Sequence, residues 1–335
     1  MKTYSISEKP IEIFGVEVID EKEKKFWRLP HEETVLVAEN LCDRSKSACG
    51  GRVRFRTNSK SLTVKIELLT LGVDICMAVC AASGADIYVG RGMNSKYVGL
   101  VNPKGYSNLF PEVTIQLDGQ MNEITVNLPR NEKIGGGWIS VDDDAEVLAP
   151  LPYSKKGKIC FYGSSITEGG CCSRPGNAYT AVVARWLDTD YVNYGFSGMA
   201  KGEDAMADII AKRDFTAFIM DYDHNAPNAE HLENTHERFF KRIRAAKPDM
   251  PILMMSRPDF ENNAPDSVKR REVIRRTYTN ALAAGDKNVY FIDGETFFGT
   301  FGRDMCTVDG CHPNDLGFFR MAEAVYGKLV KAMHL

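Results

Sequence analysis

Two rhythms of apolar and polar positions divide the chain. Up to about residue 150 the positions alternate. In "GRVRFRTNSKSLTVKIELL", Val53 and Phe55 point one way and Arg52, Arg54 and Arg56 the other, and Leu62, Val64 and Ile66 resume the pattern after the turn residues Thr57-Asn58-Ser59. "VTIQLDGQMNEITVNLP" repeats it around Asp118-Gly119. Successive side chains of a strand point to opposite faces, so a period of two with such turns predicts a jelly-roll-like antiparallel β-sandwich, with no helical stripe in this half. The half ends in "DDDAEVLAPLPYSKKG", an acidic run followed by prolines and lysines that reads as a linker. Residues 1–150 are therefore expected to form an accessory sandwich, and residues 157–335 a second domain.

From Lys158 the rhythm changes to strand then helix. Strands are expected at Ile159–Tyr162, Tyr191–Asn193, Phe215–Asp221, Ile252–Met255 and Val289–Ile292. Helical stripes lie between and after them: Tyr179, Val182, Val183 and Trp186; Leu232, Phe239, Phe240 and Ile243; and Ala322, Tyr326, Leu329 and Met333. Short strands alternating with helices imply a parallel sheet covered on both faces, a three-layer α/β/α domain, and right-handed crossovers favour the flavodoxin-like order 2-1-3-4-5.

Composition removes several function classes. A net charge of −3 gives nucleic acid or an anionic membrane no reason to bind, and no apolar run reaches the roughly 20 residues of a membrane span. The first 25 residues are polar and lack the apolar stretch of a signal peptide, and the nine cysteines form no CxxC pair. Reduced thiols in a cytoplasmic protein are the expectation. Cys306, Cys311 and His312 suggest zinc but lack a fourth ligand in view, so no metal or other cofactor is expected.

In a sheet of this order, ligands bind at the carboxyl ends of the strands. Ser164 and Ser165 end the first strand in "FYGSSITEGG"; "NYGFSGMA" brings Gly198 to the end of the second; "MDYDHNAP" places Asn225 just past the third; and "DGCHPNDLG" puts Asp309 and His312 on a loop before the last helix. A hydroxyl, a glycine turn, an asparagine and an Asp–His pair are the parts that serine hydrolysis needs. Asp309 and His312 are three residues apart, close enough for the carboxylate to meet the imidazole locally and hold its tautomer.

These segments resemble, in order, the blocks of the SGNH, or GDSL-type, hydrolases, over about residues 157 to 335. The resemblance implies Ser165 as nucleophile and His312 and Asp309 as the rest of a triad, with the oxyanion held by the Ser165 and Gly198 amides and the Asn225 side chain. Two positions depart from the pattern. Ser164 stands where the family has an aspartate, and Asp223 where it has a glycine. The segments "FYGSSITEGGCCSRPG" and "VDGCHPNDLGFFRMA" look most like a branch preceded by a β-sandwich, which "WRLP" and "SGADIYV" also fit. That branch and its relatives include esterases that remove acetyl groups from plant polysaccharides and oligosaccharides.

The expected function is thus an O-acetylesterase acting through an acyl-enzyme on acetylated oligosaccharides. A general short-chain or lyso-lipid esterase is the alternative enzyme, and a non-catalytic glycan-binding protein the alternative of another class. Arg174 and Arg257 follow the first and fourth strands, where substrate contact competes with an ordinary salt bridge. Trp138, in "KIGGGWISV", is a candidate to wall the site from the first domain. His224, His231 and His236 read as solvated, Cys171 and Cys172 as packing residues, and Glu168 as a carboxylate facing a helix start.

Overall fold

The computed structural model describes residues 1–334. The alternating half folds into two antiparallel sheets. The outer sheet runs β1 (Lys2–Ser5), β11 (Ile134–Val141), β6 (Ser61–Leu68), β9 (Glu112–Gln116). The inner sheet runs β12 (Val147–Leu148), β5 (Arg52–Thr57), β10 (Asn122–Asn127), β7 (Ala85–Val89), β8 (Lys96–Val101), with β2 (Glu12–Phe14) also on β5. A separate ribbon joins β3 (Val18–Asp20) to β4 (Lys25–Trp27). Val53, Phe55, Leu62, Val64, Ile66, Ile124, Val126, Ile139 and Val141 fill the space between the sheets. Register enforces this, since Phe55 lies opposite Ile124 and Val53 opposite Val126.

Two features go beyond the sequence expectation. Short helices do occur in this half: α1 (His31–Thr34), α2 (Glu39–Ser45) and α3 (Val79–Ser83). At four to seven residues they are at most two turns long, too short to leave a periodic stripe. The second is the arginine face of β5, whose surroundings alternation leaves open: Arg52 is 4% and Arg54 2% exposed.

The second half builds one parallel sheet from β13 (Lys155–Gly163), β14 (Thr189–Gly195), β15 (Ala217–Asp221), β16 (Ile252–Met255) and β17 (Val289–Ile292), in the order β14-β13-β15-β16-β17. This is the expected 2-1-3-4-5 arrangement. One face is covered by α4 (Ser165–Glu168), α5 (Tyr179–Leu187) and α9 (Asp315–Ala332), the other by α6 (Asp204–Ala211), α7 (Ala229–Ala246) and α8 (Ala264–Ala283). Leu29 and Leu41 of the first half enter this second layer beside Met206 and Ile210. Among the described residues no helix is long and apolar enough to cross a membrane.

The segment between the halves is held at both ends. Val147 and Leu148 pair with Thr57 and Arg56 of the inner sheet, and Lys155 pairs with Thr189 of the parallel sheet. Ion pairs then cross between the halves: Arg52 with Asp190, Arg91 with Asp188 at 2.7 Å, Arg174 with Asp86 at 3.3 Å, and Arg213 with Glu17 and Glu33, each at 2.6 Å.

Candidate active site

The site begins where β13 and β14 end side by side, Gly163 in register with Gly195. A Cβ on Gly163 would lie 2.1 Å from Thr167 Oγ1 and 2.3 Å from the Asp221 carbonyl oxygen, and one on Gly195 would lie 2.4 Å from the Glu168 amide. Only glycines let α4 settle this close to the sheet. Ser164 caps that helix, its hydroxyl accepting the Ile166 N–H at 3.1 Å, so the family's aspartate position is filled by a working N-cap. Ser165 becomes the first residue of α4. Below it the Asp221 carboxyl, pushed up to about 7 by burial, accepts hydrogen bonds from Thr167 Oγ1 at 2.9 Å and the Tyr179 hydroxyl at 2.7 Å.

Ser165 Oγ meets His312 Nε2 at 2.9 Å, and His312 Nδ1 meets Asp309 Oδ2 at 2.8 Å. Asp309 also organises its own loop, its Oδ1 accepting the Cys311 N–H at 3.0 Å and the His312 N–H at 2.7 Å around Gly310, whose φ of +81° suits glycine. Burial works against ionisation of Asp309, but the His312 bonds prevail and lower its pKa. His312 is pushed up to about 9, first by its bond with Cys311 and also by Asp309, against burial. The Cys311 thiol is brought down to about 7 because hydrogen bonds from His224 and His312 outweigh its burial.

The Gly198 N–H donates to Asn225 Oδ1 at 3.2 Å, and Asn225 Nδ2 donates to the Phe196 carbonyl at 2.9 Å, so these two expected donors lie side by side. Gly198 has φ of +73° and open space around its Cα. Asp223 does not present a free charge there. Its carboxylate is buried, paired with Arg270 at 3.2 Å, and accepts the Arg257 N–H at 2.8 Å.

The first domain also reaches the site, through residues that sequence reasoning passed over. Glu168, at the end of α4, is bridged by Arg28 at 3.2 Å and Arg130 at 3.4 Å, all three buried. Arg28 also donates to the carbonyls of Asn193 and Gly195, stacks on Phe196, and so ties α4 to the end of β14. The loop after β6 brings Cys76 Sγ to 3.9 Å from Asp309 Oδ2 and Met77 against Arg130. The one sequence hint is Arg28 itself, a charge set among apolar neighbours in "WRLP".

The remaining candidates fall elsewhere. Trp138 does not wall the site: β11 turns Ile139 and Val141 into the sandwich core, which leaves Trp138 on the opposite face of the outer sheet beside Lys65. Arg174 is turned to Asp86 and lies over the Tyr97 ring, joining the domains. Arg257 grips Asp259 and lies one layer behind His224. His236 is not solvated but buried against Thr277, and His231 bonds the Lys201 carbonyl. Cys306 faces Gly302 and Arg320, away from the Cys311 cluster.

Comparisons with known proteins agree with this architecture. Residues 155–330 match the family model described as "GDSL-like Lipase/Acylhydrolase family", and residues 1–147 match "N-terminus of Esterase_SGNH_hydro-type". Among solved structures, a Bacteroides ovatus ATCC 8483 protein described as a GDSL-like lipase superposes with a TM-score of 0.87 at 26% identity, covering 99% of this chain and 98% of that one. A salicylyl-acyltransferase from a tetracycline biosynthetic pathway gives 0.80 at 19% identity, over 98% and 97% of the two chains. An acetyl xylan esterase from the rumen bacterium Butyrivibrio proteoclasticus gives 0.60 at 15% identity, over 99% and 98%. A search of curated proteins finds no match. With more than half its length matched by one family model and most of the remainder by the domain that precedes it, the chain belongs to the GDSL-like lipase/acylhydrolase family and is a carboxylic ester hydrolase of the SGNH type.

Proposed function

We propose that this esterase removes acetyl groups from oligosaccharides, with Ser165 as nucleophile, His312 as general base and Asp309 as the carboxylate that orients it. The observation behind this reading is the unbroken run from Asp309 Oδ2 through His312 to Ser165 Oγ, at 2.8 and 2.9 Å. In the neutral form of His312, which does the work of the base, Asp309 accepts a hydrogen bond from Nδ1–H and the Nε2 lone pair faces Ser165. Ser165 Oγ attacks the acetyl carbonyl carbon as its proton passes to Nε2. The tetrahedral intermediate then expels the sugar alkoxide, which takes that proton. Water, activated by the same nitrogen, cleaves the acyl-enzyme and releases acetate. The oxyanion would be held by the Ser165 amide, first in α4 and without a partner one turn back, by the second hydrogen of Asn225 Nδ2, and by the Gly198 amide once it leaves Asn225 Oδ1, its acceptor in the free protein. Loss of one such donor costs about 10²–10³ in turnover.

The sugar assignment draws on the mouth between two domains, a favoured place for a ligand cleft, and on relatives in fold. One is the Butyrivibrio acetyl xylan esterase; another is a family two carbohydrate esterase from Clostridium thermocellum in complex with cellohexaose. In the test, Ser165→Ala should abolish hydrolysis of a chromogenic acetate and of acetylated oligosaccharides, while Ser164→Ala keeps most activity and loses about 1 kcal/mol of stability through its cap. The reverse pattern would move the nucleophile by one residue.

A second reading has its own observation. A groove of about 520 Å³ lined by Cys76, Met77, Cys171, Cys172, Met305 and Leu316 among others touches the site through Cys76, 3.9 Å from Asp309 Oδ2, and offers a surface suited to a longer acyl chain. Acetate esters are expected to be cleaved much faster than octanoate esters. Equal kcat/KM on both would assign the groove to the acyl group.

A further inference from the structure

A second group of donor atoms stands beside the proposed triad and takes no part in its proton transfers. Cys311 Sγ lies 3.2 Å from His224 Nε2, and the same nitrogen lies 3.2 Å from Asp259 Oδ2. The ligand atoms of the three side chains all fall within 4.8 Å of one another. They arrive from three loops at one sheet edge: His224 after β15, Asp259 after β16, and Cys311 between Asp309 and His312.

Sulfur, imidazole and carboxylate together form the donor set of tetrahedral zinc-type ions, whereas magnesium and calcium take oxygen ligands. With metal–sulfur and metal–nitrogen bonds of about 2.3 and 2.0 Å, tetrahedral angles separate sulfur from nitrogen by about 3.5 Å and nitrogen from oxygen by about 3.4 Å. The sulfur–nitrogen and nitrogen–oxygen spacings present, both 3.2 Å, are within a few tenths of an ångström of these, and sulfur and oxygen lie within 4.8 Å of each other. Access is from the site mouth, since the His224 side chain is 21% exposed while Asp259 is buried behind it. Arg257 holds both carboxylate oxygens, its Nε 3.0 Å from Oδ1 and its Nη2 2.6 Å from Oδ2, the oxygen that also faces His224. That second shell orients the ligand, and its positive charge weakens binding relative to a structural zinc site.

We propose that His224, Asp259 and Cys311 form a binding site for a thiophilic divalent metal of the Zn²⁺ class, and that filling it inhibits the esterase. Coordination releases the thiol proton and any proton on His224 Nε2, and leaves a fourth position for water. Inhibition follows from connectivity. The amides of Cys311 and His312 both bond Asp309 Oδ1, so a single turn carries the metal ligand and the two triad partners. The His224 and His312 rings lie 6.4 Å apart at an angle of 29°. A metal joining Cys311 to His224 clamps that turn against the neighbouring loops and restricts the movement His312 needs between Ser165 and the leaving group.

The inhibition arm of the test rests on the triad reading; the binding arm does not. Full-length protein freed of metal is titrated with Co²⁺, whose thiolate complexes absorb in the near ultraviolet. One equivalent should give a charge-transfer band that Zn²⁺ bleaches, that Cys311→Ser lacks, and whose midpoint His224→Gln raises at least about tenfold. Zn²⁺ should lower wild-type ester hydrolysis at least about tenfold, reversibly with EDTA, and should spare Cys311→Ser measured against its own metal-free rate. No band, or a band that survives Cys311→Ser on another thiol, overturns the site. Binding with unchanged turnover overturns the inhibitory role. Metal-free protein with no esterase activity would sink the triad reading, and the cobalt band would still decide the site.

Discussion

Val53 and Phe55, on one face of β5, are surrounded by the hydrocarbon of Leu62, Val64, Ile124 and Val126, while Arg52 and Arg54, on its other face, are as deeply buried and meet charge. Arg52 reaches Asp190 and the Tyr191 carbonyl; Arg54 pairs with Glu123 at 2.6 Å and stacks on Tyr153 at 3.9 Å. The apolar face is held by a non-directional force that tolerates any side chain of about the right volume. The charged face is directional, since each guanidinium has a defined partner and loses much of its Coulomb gain to desolvation. Hydrocarbon thus makes the sandwich stable, while Arg52 ties it to the hydrolase domain and Arg54 ties its own sheet to the connecting segment. Arg28 and Arg130 extend the second principle to the active site, because the carboxylate they share is on the helix that carries Ser165.

The comparison is tested most severely at Glu168. Glu168→Ala strands two buried arginines and should cost about 3–5 kcal/mol of stability, together with a roughly tenfold to hundredfold loss of kcat/KM as α4 shifts. Phe55→Ala should cost a similar 3–5 kcal/mol by leaving a cavity, yet leave kcat/KM of the folded fraction unchanged. Chemical denaturation with kinetics at low temperature separates the two. If both variants lost activity alike, the charged face would have no positioning role.

A buried group without a charged partner sharpens the contrast. Burial lowers His236 to about 3, and its Nδ1 lies 2.9 Å from Thr277 Oγ1. The folded protein keeps this imidazole neutral, so its contribution is present above the unfolded value near 6.5 and is lost as pH falls toward 3. Between pH 7 and 4.5 the loss should be about 2–3 kcal/mol. His236→Gln should flatten that part of the stability–pH curve in urea titrations, and an unchanged slope would refute the assignment. The smallest effect is expected at Trp138. On the outward face, Trp138→Ala should change stability by at most about 1 kcal/mol and leave kcat/KM on acetylated oligosaccharide intact. A selective loss on that substrate would make the outer sheet part of the recognition surface.

The strand order, the meeting of Ser165, His312 and Asp309, and that of Gly198 with Asn225 were legible because each follows from a local pattern: a period, a strand end, a three-residue spacing. Alternation located β5 and β11 but could not say what covers their polar faces, so the partners of the arginines went unread and Trp138 passed for a site wall. Helix α8 left no stripe because its buried face includes Ser267, Arg270 and Thr277 beside Val273 and Ile274. The bridge from Arg28 to Glu168 spans 140 positions in the chain, and no local pattern carries that distance. His224 and Cys311 were obscured in the same way, meeting across 87 positions from two loops.

The charged inner sheet also bears on how the protein is made. Synthesis delivers the sandwich first, and domains tend to fold as units in that order. Until Glu168 and Asp190 emerge, the nascent domain turns Arg28, Arg52 and Arg130 toward water in place of an uncovered hydrocarbon sheet, the kind of surface that draws incomplete chains into aggregates. A half-finished chain can therefore wait in solution, its docking face kept soluble by the same guanidinium groups that later hold the helix carrying Ser165.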